Sequence, residues 1–253
     1  MCFLRIPRVT IYQSCKPARI STAALLLSIL ATSPLATAQE QSRFTHANFV
    51  EGERSMANLV DFPDVDGNIE VVVTCTGIAS AKGRLQEAKC SAPNDPDLDF
   101  TMAVSRRFNA ARLVPATVDG NSEEVDFQFV VHFMQENDEQ SVNVYPNNSK
   151  NVDRLGLDYV SAQRFSPYVW LNRCGSWRRE ELILEVAIID ATGKPRDVDL
   201  VTAESSLRTN CKAALINQLN DGRWIPASYK GQFVDSIWVN PIILNRMAYK
   251  RQQ

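Results

Sequence analysis

The strongest constraint on how this chain can fold is a nine-residue phrase that it carries twice, "RLVPATVDG" at Arg112–Gly120 and "RWIPASYKG" at Arg223–Gly231. The copies lie 111 positions apart and share Arg, Pro, Ala and Gly in register, with an apolar pair before each proline and a small hydroxyl residue after each alanine. The same offset carries Phe100, Val104 and Phe108 onto Cys211, Leu215 and Leu219. Both sets have the i, i+4, i+8 spacing of one buried face of an amphipathic helix. Each phrase is therefore expected to follow a helix, its proline turning the chain into extended form.

The starts of those helices are marked by Asn94-Asp95-Pro96 in the first copy and by Ser205 or Ser206 in the second, and Gly222 is a stop signal for the second. Upstream of each helix two strand-like runs flank a glycine turn: "NIEVVVTC" and "RLQEAKC" around Ser80–Gly83, then "ELILEVAII" and "PRDVDLV" around Asp190–Lys194. Ile69, Val71, Val73 and Cys75 alternate onto one face, as do Leu182, Leu184, Val186 and Ile188, so these are the sides expected to bury against the helices. A third strand follows each phrase, "VDFQFVVHF" from Val125 and "FVDSIWVNPIIL" from Phe233. Pro241 cannot donate to a ladder and belongs on an edge strand or at a bulge near Asn240. The expected fold class is α+β: two units, each β-β-α-β, with an antiparallel sheet packed on one main helix.

Around these units, Arg5, Arg8, Lys16 and Arg19 precede the apolar run "AALLLSILATSPLATA", and Ala36-Thr37-Ala38 has the small-residue pattern of a secretory cleavage site. Residues 1–38 read as a signal peptide cut after Ala38, residues 39–66 as an N-terminal extension, 67–138 as the first unit, 139–173 as a polar linker and 174–253 as the second unit. The leader takes four of the 27 basic residues and none of the 29 acidic ones, so 23 against 29 leaves a net charge of −6. No cluster of Lys and Arg remains to neutralise phosphates, which argues against nucleic acid or an anionic membrane as the main partner.

The two phrases in their settings resemble the C-terminal domain family of TonB, the periplasmic end of an energy-transducing system. Arg223, Trp224, Pro226, Ala227 and Gly231 carry the resemblance in the second copy, and Arg112, Pro115, Ala116 and Gly120 in the first, where Leu113 replaces the aromatic residue. The string "VTC…GRLQEAKC" is similar to a TonB-like subfamily with paired cysteines in its first hairpin. The resemblance implies a non-catalytic, periplasmic protein-binding module. Its last strand would accept an extended peptide from an envelope protein, such as an outer-membrane receptor, as an added strand. The matching strands here are Val125–Phe133 and Phe233–Ile243, with Phe233, Val234, Asp235, Ser236, Ile237, Trp238 and Val239 as the partner-binding edge. Two departures weigh against energy transduction: a leader expected to be removed, and only a short polar segment between Gln39 and Asn68 where a long Pro-rich spacer would be required. The alternatives are an inner-membrane-anchored transducer component, or an envelope structural protein whose units pack edge to edge, a homodimer included.

Cys75, Cys90, Cys174 and Cys211 form an even set outside the leader, as expected of disulfides in an exported chain. A two-residue turn at Lys82-Gly83 would set Cys75 opposite Cys90; a three-residue turn, like the one that the apolar pattern favours at Ala191-Thr192-Gly193, would shift them by one place. Pairing Cys75 with Cys90 leaves Cys174 with Cys211. "CGSW" at Cys174–Trp177 resembles the string around a papain-type nucleophile, but His46 and His132 both precede it, where the general base should follow. The histidines are too far apart for a metal site, and the carboxylate pairs Asp64/Asp66, Asp97/Asp99 and Asp197/Asp199 come without a nucleophile or phosphate loop. No enzyme, metal or cofactor is expected.

Overall fold

In a computed structural model of the chain the described residues are 43–147, 155–166, 181–202 and 209–244. All of them belong to one compact unit, Gln41–Gln253. The architecture is mostly β, built of several small antiparallel sheets, and this overturns the expected α+β pair of β-β-α-β units, each on a main helix. Among the described residues the helices are α1 (Met56–Leu59), α2 (Asp99–Ser105) and α3 (Thr209–Asn220). The first-copy helix is only seven residues long because Leu98, at its N-cap, sits in the left-handed region with φ 62°. Asp95 still caps it, accepting from the Phe100 and Thr101 amides, but the helix opens later than the proline signal implied. Phe108 therefore falls beyond its end, while Phe100 and Val104 are buried, as are Cys211, Leu215 and Leu219 on α3.

The phrases themselves form short strands that the expected units did not contain. Strands β1 (Phe44–Thr45) and β2 (Asn48–Phe49) lead into α1; β3 (Ile69–Ala79) and β4 (Leu85–Ser91) form the first hairpin; and the first phrase supplies β5 (Leu113–Val114) and β6 (Ala116–Val118). After them come β7 (Asn121–Glu123), β8 (Val125–Glu136) and β9 (Glu139–Tyr145). In the second half, β10 (Tyr159–Val160) and β11 (Gln163–Arg164) precede the hairpin of β12 (Glu181–Ile189) and β13 (Pro195–Thr202). There the phrase forms β14 (Trp224–Ile225) and β15 (Ala227–Tyr229), followed by β16 (Gln232–Val234) and β17 (Ser236–Leu244).

Each phrase is paired from both sides. Asp119-Gly120 and Lys230-Gly231 all have positive φ, the two-residue turn that matches strand twist, and they fold β6 onto β7 and β15 onto β16. The other side is covered by the segments read as extension and linker: β1 and β2 pair with β6 and β5, and β10 and β11 with β15 and β14. Proline at the centre of each phrase has no amide to donate, so the pairing divides there into two short ladders.

The phrase also docks on the turn of its own hairpin. The Leu113 amide donates to Gly83 O and the Trp224 amide to Gly193 O. Both glycines have positive φ, and a Cβ on either would lie 2.3 Å from Leu113 O or 2.2 Å from Trp224 O. Only glycine satisfies both demands.

Both hairpin turns have the three-residue form: the Ser80 amide donates to Arg84 O and the Asp190 amide to Lys194 O. Cys75 nevertheless faces Cys90 and is disulfide-bonded to it, because a bulge between Thr76 and Ile78 restores the register. The inserted residue is Glu87, held at φ 50°, and Asp197, at φ 48°, lies at the matching bulge in the second hairpin. Cys211 is also disulfide-bonded; Cys174, its expected partner, lies outside the described residues.

The main sheet of the first half has the order β4-β3-β8-β9, and that of the second half β13-β12-β17. Val71, Val73 and Cys75 face the core with Phe127, Phe129 and Phe133, as the alternation requires. In β12 the expectation is reversed: Ile183, Glu185, Ala187 and Ile189 are buried, while Leu182 on the opposite face is 52% exposed. The strand is apolar on both faces, so its period does not identify the inner one. Pro241 pairs with Leu184 in an unbroken register, so the bulge expected beside it is absent.

Candidate functional site

The residues that the two phrases share have architectural contacts. Arg112 turns its Nη1 onto the carbonyls of Asn109, Ala110 and Ala111, closing the turn after α2. Arg223 lies over the Phe165 ring at 4.9 Å. Ala116 and Ala227 are fully buried. Trp224 packs edge-on to Trp238 at 5.5 Å, with the buried Arg164 guanidinium 5.4 Å from its ring. Arg164 also donates to Gln218 O, in the last turn of α3, where a cation complements the helix dipole.

The seven residues expected to form one partner-binding strand are divided between two sheets. Phe233 and Val234 belong to β16 and pair with Ser228 and Ala227. Phe233 also packs on Phe44 and His46. Asp235 joins the two strands, accepts from the Ala191 amide at 2.9 Å and is ion-paired with Arg196. Ser236, Ile237, Trp238 and Val239 lie on β17; Ser236 and Trp238 are buried, and Ile237 is 49% exposed.

The first-copy counterpart is closed along much of its length. β9 pairs with Val130–Glu136, making β8 an internal strand there. Among the described residues β17 is hydrogen-bonded as a strand on one side only, to β12. In an antiparallel pair the backbone groups of alternate residues face the partner and those between face away. Val239 O accepts from Gln128 Nε2 at 2.8 Å, so Val239 faces away from β12, and Ile237 and Pro241 share its parity. The outer edge thus presents both backbone groups of Ile237, the amide of Val239 and the carbonyl of Pro241. The missing amide of Pro241 falls on this edge, where it blunts pairing without breaking the ladder to β12.

Beside this edge lies an open groove of about 640 Å³. Asn240, Pro241 and Ile242 form one wall. The facing wall comes from the first half, with Glu87 and Lys89 of β4, Glu123 and Glu124 around the end of β7, and Asp126 and Gln128 of β8.

His46 marks a second contact between the halves. Its Nε2 donates to Pro226 O at 2.8 Å, the direction fixed because a carbonyl only accepts. Burial lowers its pKa from 6.5 to about 4, opposed by that hydrogen bond, so the ring is neutral. Next to it the Ala47 amide and carbonyl bond the buried Gln163 side chain at 2.8 and 2.9 Å. His132 lies on the outward face of β8 against Glu70, 3.0 Å away.

Sequence reasoning missed the segments Phe44–Phe49 and Tyr159–Arg164, whose shared signal is an aromatic residue three places before a buried alanine. They run at an offset of 115 in place of 111, too brief and displaced to register as part of the repeat. Of the groove residues, Val125–Gln128 and Asn240–Ile242 lie on the two strands named from the sequence, whereas Glu87, Lys89, Glu123 and Glu124 carry no motif and were missed. Among the described residues no group of three or more His, Cys, Asp and Glu is placed to hold a metal ion, and no helix is long and apolar enough to cross a membrane. Comparison with protein-family models, curated proteins and solved structures returns no match.

Proposed function

We propose that this chain is a non-catalytic extracytoplasmic protein that binds an extended segment of a protein partner as an added strand along the outer edge of β17. The observation that carries the reading is that, among the described residues, β17 is paired on one side only, leaving the backbone groups of Ile237 directed outward. Main-chain hydrogen bonds to such an edge supply affinity with little demand on the partner's sequence. The Cys75–Cys90 disulfide fits an oxidising compartment, for which the periplasm, reached by cleavage after Ala38, is the proposed site. The resemblance of the two phrases to TonB C-terminal domains supports an envelope protein, outer-membrane receptors among them, as the partner.

The test is capture from an envelope extract by the mature chain and by an Ile237→Pro variant. Ile237 directs its amide outward, so proline there removes a donor to the partner and none to β12. A specific protein retained by the wild type and lost by the variant, with circular dichroism unchanged, is the expected result. Equal capture by both would overturn the reading.

A further inference from the structure

We infer that the outer face of the β13-β12-β17 sheet is a self-association surface, which packs against the same face of a second copy of this chain. The inference goes beyond the strand-addition reading and does not depend on it. β12 directs Leu182, Leu184, Val186 and Ile188 to this face, away from the buried Ile183, Ala187 and Ile189. The register sets Pro241, Val239 and Ile237 of β17 beside the last three of them, and Val201 of β13 beside Leu184. Leu182, Val201 and Ile237 are half-exposed. Among the described residues, none of the aliphatic side chains on this face packs against either hydrophobic core.

The first half supplies an internal control. The bulges after Thr76 and after Val186 align the two hairpins, so Thr74, Thr76 and Ser91 hold the positions of Leu184, Val186 and Val201. By the same register Asp126 and Gln128 hold those of Ile237 and Val239. The sheet therefore forms with polar side chains on its outer face, and folding alone does not demand the aliphatic ones. An exposed aliphatic patch that the fold does not require marks a surface for another molecule.

Shape, charge and size fit a second copy. A pleated face is complemented by another sheet stacked about 10 Å away, and every copy carries such a face, so a two-fold contact matches itself. The mature chain is acidic overall, but this face is uncharged at its centre; Asp199 lies at its β13 margin, and Arg196 is ion-paired with Asp235. Two copies can therefore meet through it without opposing large like charges. β12 and β17 are nine residues long, and three strands of that length present roughly 14 by 30 Å, about 430 Å² per copy. Two such faces with a rim one side chain wide pass the ~1,200 Å² at which specific contacts begin. The contact is small for a dimer, so the dimer should dissociate on dilution.

Sedimentation velocity of the mature chain from about 1 to about 300 μM covers the affinities expected of a contact this small. The expected result is a monomer at the low end and a dimer at the high end. Two variants test the face. In the triple variant Leu184→Thr, Val186→Thr, Val201→Ser the first half's own side chains replace the aliphatic ones; Val201→Arg places a charge at a position exposed enough to solvate it in the monomer. Each should weaken dimerisation about tenfold or more with circular dichroism unchanged. If the triple variant does not fold, Val201→Arg alone decides. Dimerisation at wild-type strength in a folded variant places the contact elsewhere and overturns the inference. A wild type that stays monomeric throughout overturns it as well and leaves the face to a different molecule. Capture by the β17 edge is read separately through Ile237→Pro, so either reading can fail alone.

Discussion

Replacing Gly193 by alanine should cost far more than the same change at Gly231, and the difference measures how the phrase is seated on its hairpin. Both glycines have positive φ, 83° and 77°. Alanine in that region is strained by about 1–2 kcal/mol at either site, partly offset by about 0.4–1 kcal/mol from a stiffer unfolded chain. At Gly231 nothing lies within 4 Å of the new Cβ, so that small net cost is the whole effect. At Gly193 the Cβ would stand 2.2 Å from Trp224 O. The carbonyl must retreat by roughly 1 Å to reach ordinary contact, which loosens the Trp224 amide from Gly193 O at about 1 kcal/mol. It also moves Trp224 between Arg164 and Trp238, an overpacking penalty of about 1–3 kcal/mol. Gly193→Ala should therefore be destabilised by roughly 2–4 kcal/mol beyond Gly231→Ala, from the sum of those two contributions. Urea unfolding monitored by tryptophan fluorescence gives the comparison if the m-values agree. Gly83 and Gly120 repeat the contrast in the first half, with 2.3 Å to Leu113 O at one and open space at the other. Equal losses within each pair would refute the argument that close backbone approach, and not φ alone, requires the hairpin glycines.

Two further outcomes concern the junction of the halves and the first hairpin. Because folding lowers the His46 pKa from 6.5 to about 4, the unfolded chain takes up the proton first; the stability it contributes is complete above pH 6.5 and lost as the pH falls towards 4. The loss is about 3 kcal/mol at most, and His46→Gln, which keeps a donor without a titrating ring, should flatten the urea midpoint over that window; an unchanged slope would assign it to other groups. Removing the Cys75–Cys90 link in the double variant Cys75→Ala, Cys90→Ala should cost about 3 kcal/mol, the chain-entropy value for its 15-residue separation. Non-reducing peptide mapping of the native chain should show the same link, and a Cys90–Cys174 crosslink in its place would contradict the hairpin register.

The proposed binding edge rests on a physical distinction in strand pairing. A strand flanked on both sides has its backbone groups consumed, as Val130–Glu136 of β8 do between β3 and β9. β17 has the same origin in the repeat and, among the described residues, has no second neighbour of that kind. The two copies of one sequence pattern therefore differ in how far their last strand is paired among the described residues. That difference comes from Glu139–Tyr145, which forms a hairpin on β8 although its polar composition reads as a linker.

The duplicated phrase, its 111-residue offset and the apolar stripes on α2 and α3 were legible in the chain alone, because they depend on residue type and spacing within a short span. So was the choice of Cys75 and Cys90 as partners on one hairpin. Their facing register was not, since a three-residue turn misplaces them until a bulge at Glu87 adds one residue, and glutamate at positive φ carries no local signal for it. Nor does alternation tell which face of β12 is inner when Leu182–Ile189 is nearly apolar throughout; the packing of Trp238, Leu200 and α3 makes that choice. Local preferences named the pieces that repeat. The mostly β architecture, the coverage of each phrase by a distant segment and the groove beside β17 arise from pairings across scores of residues, where burial and backbone hydrogen bonding outweigh propensity.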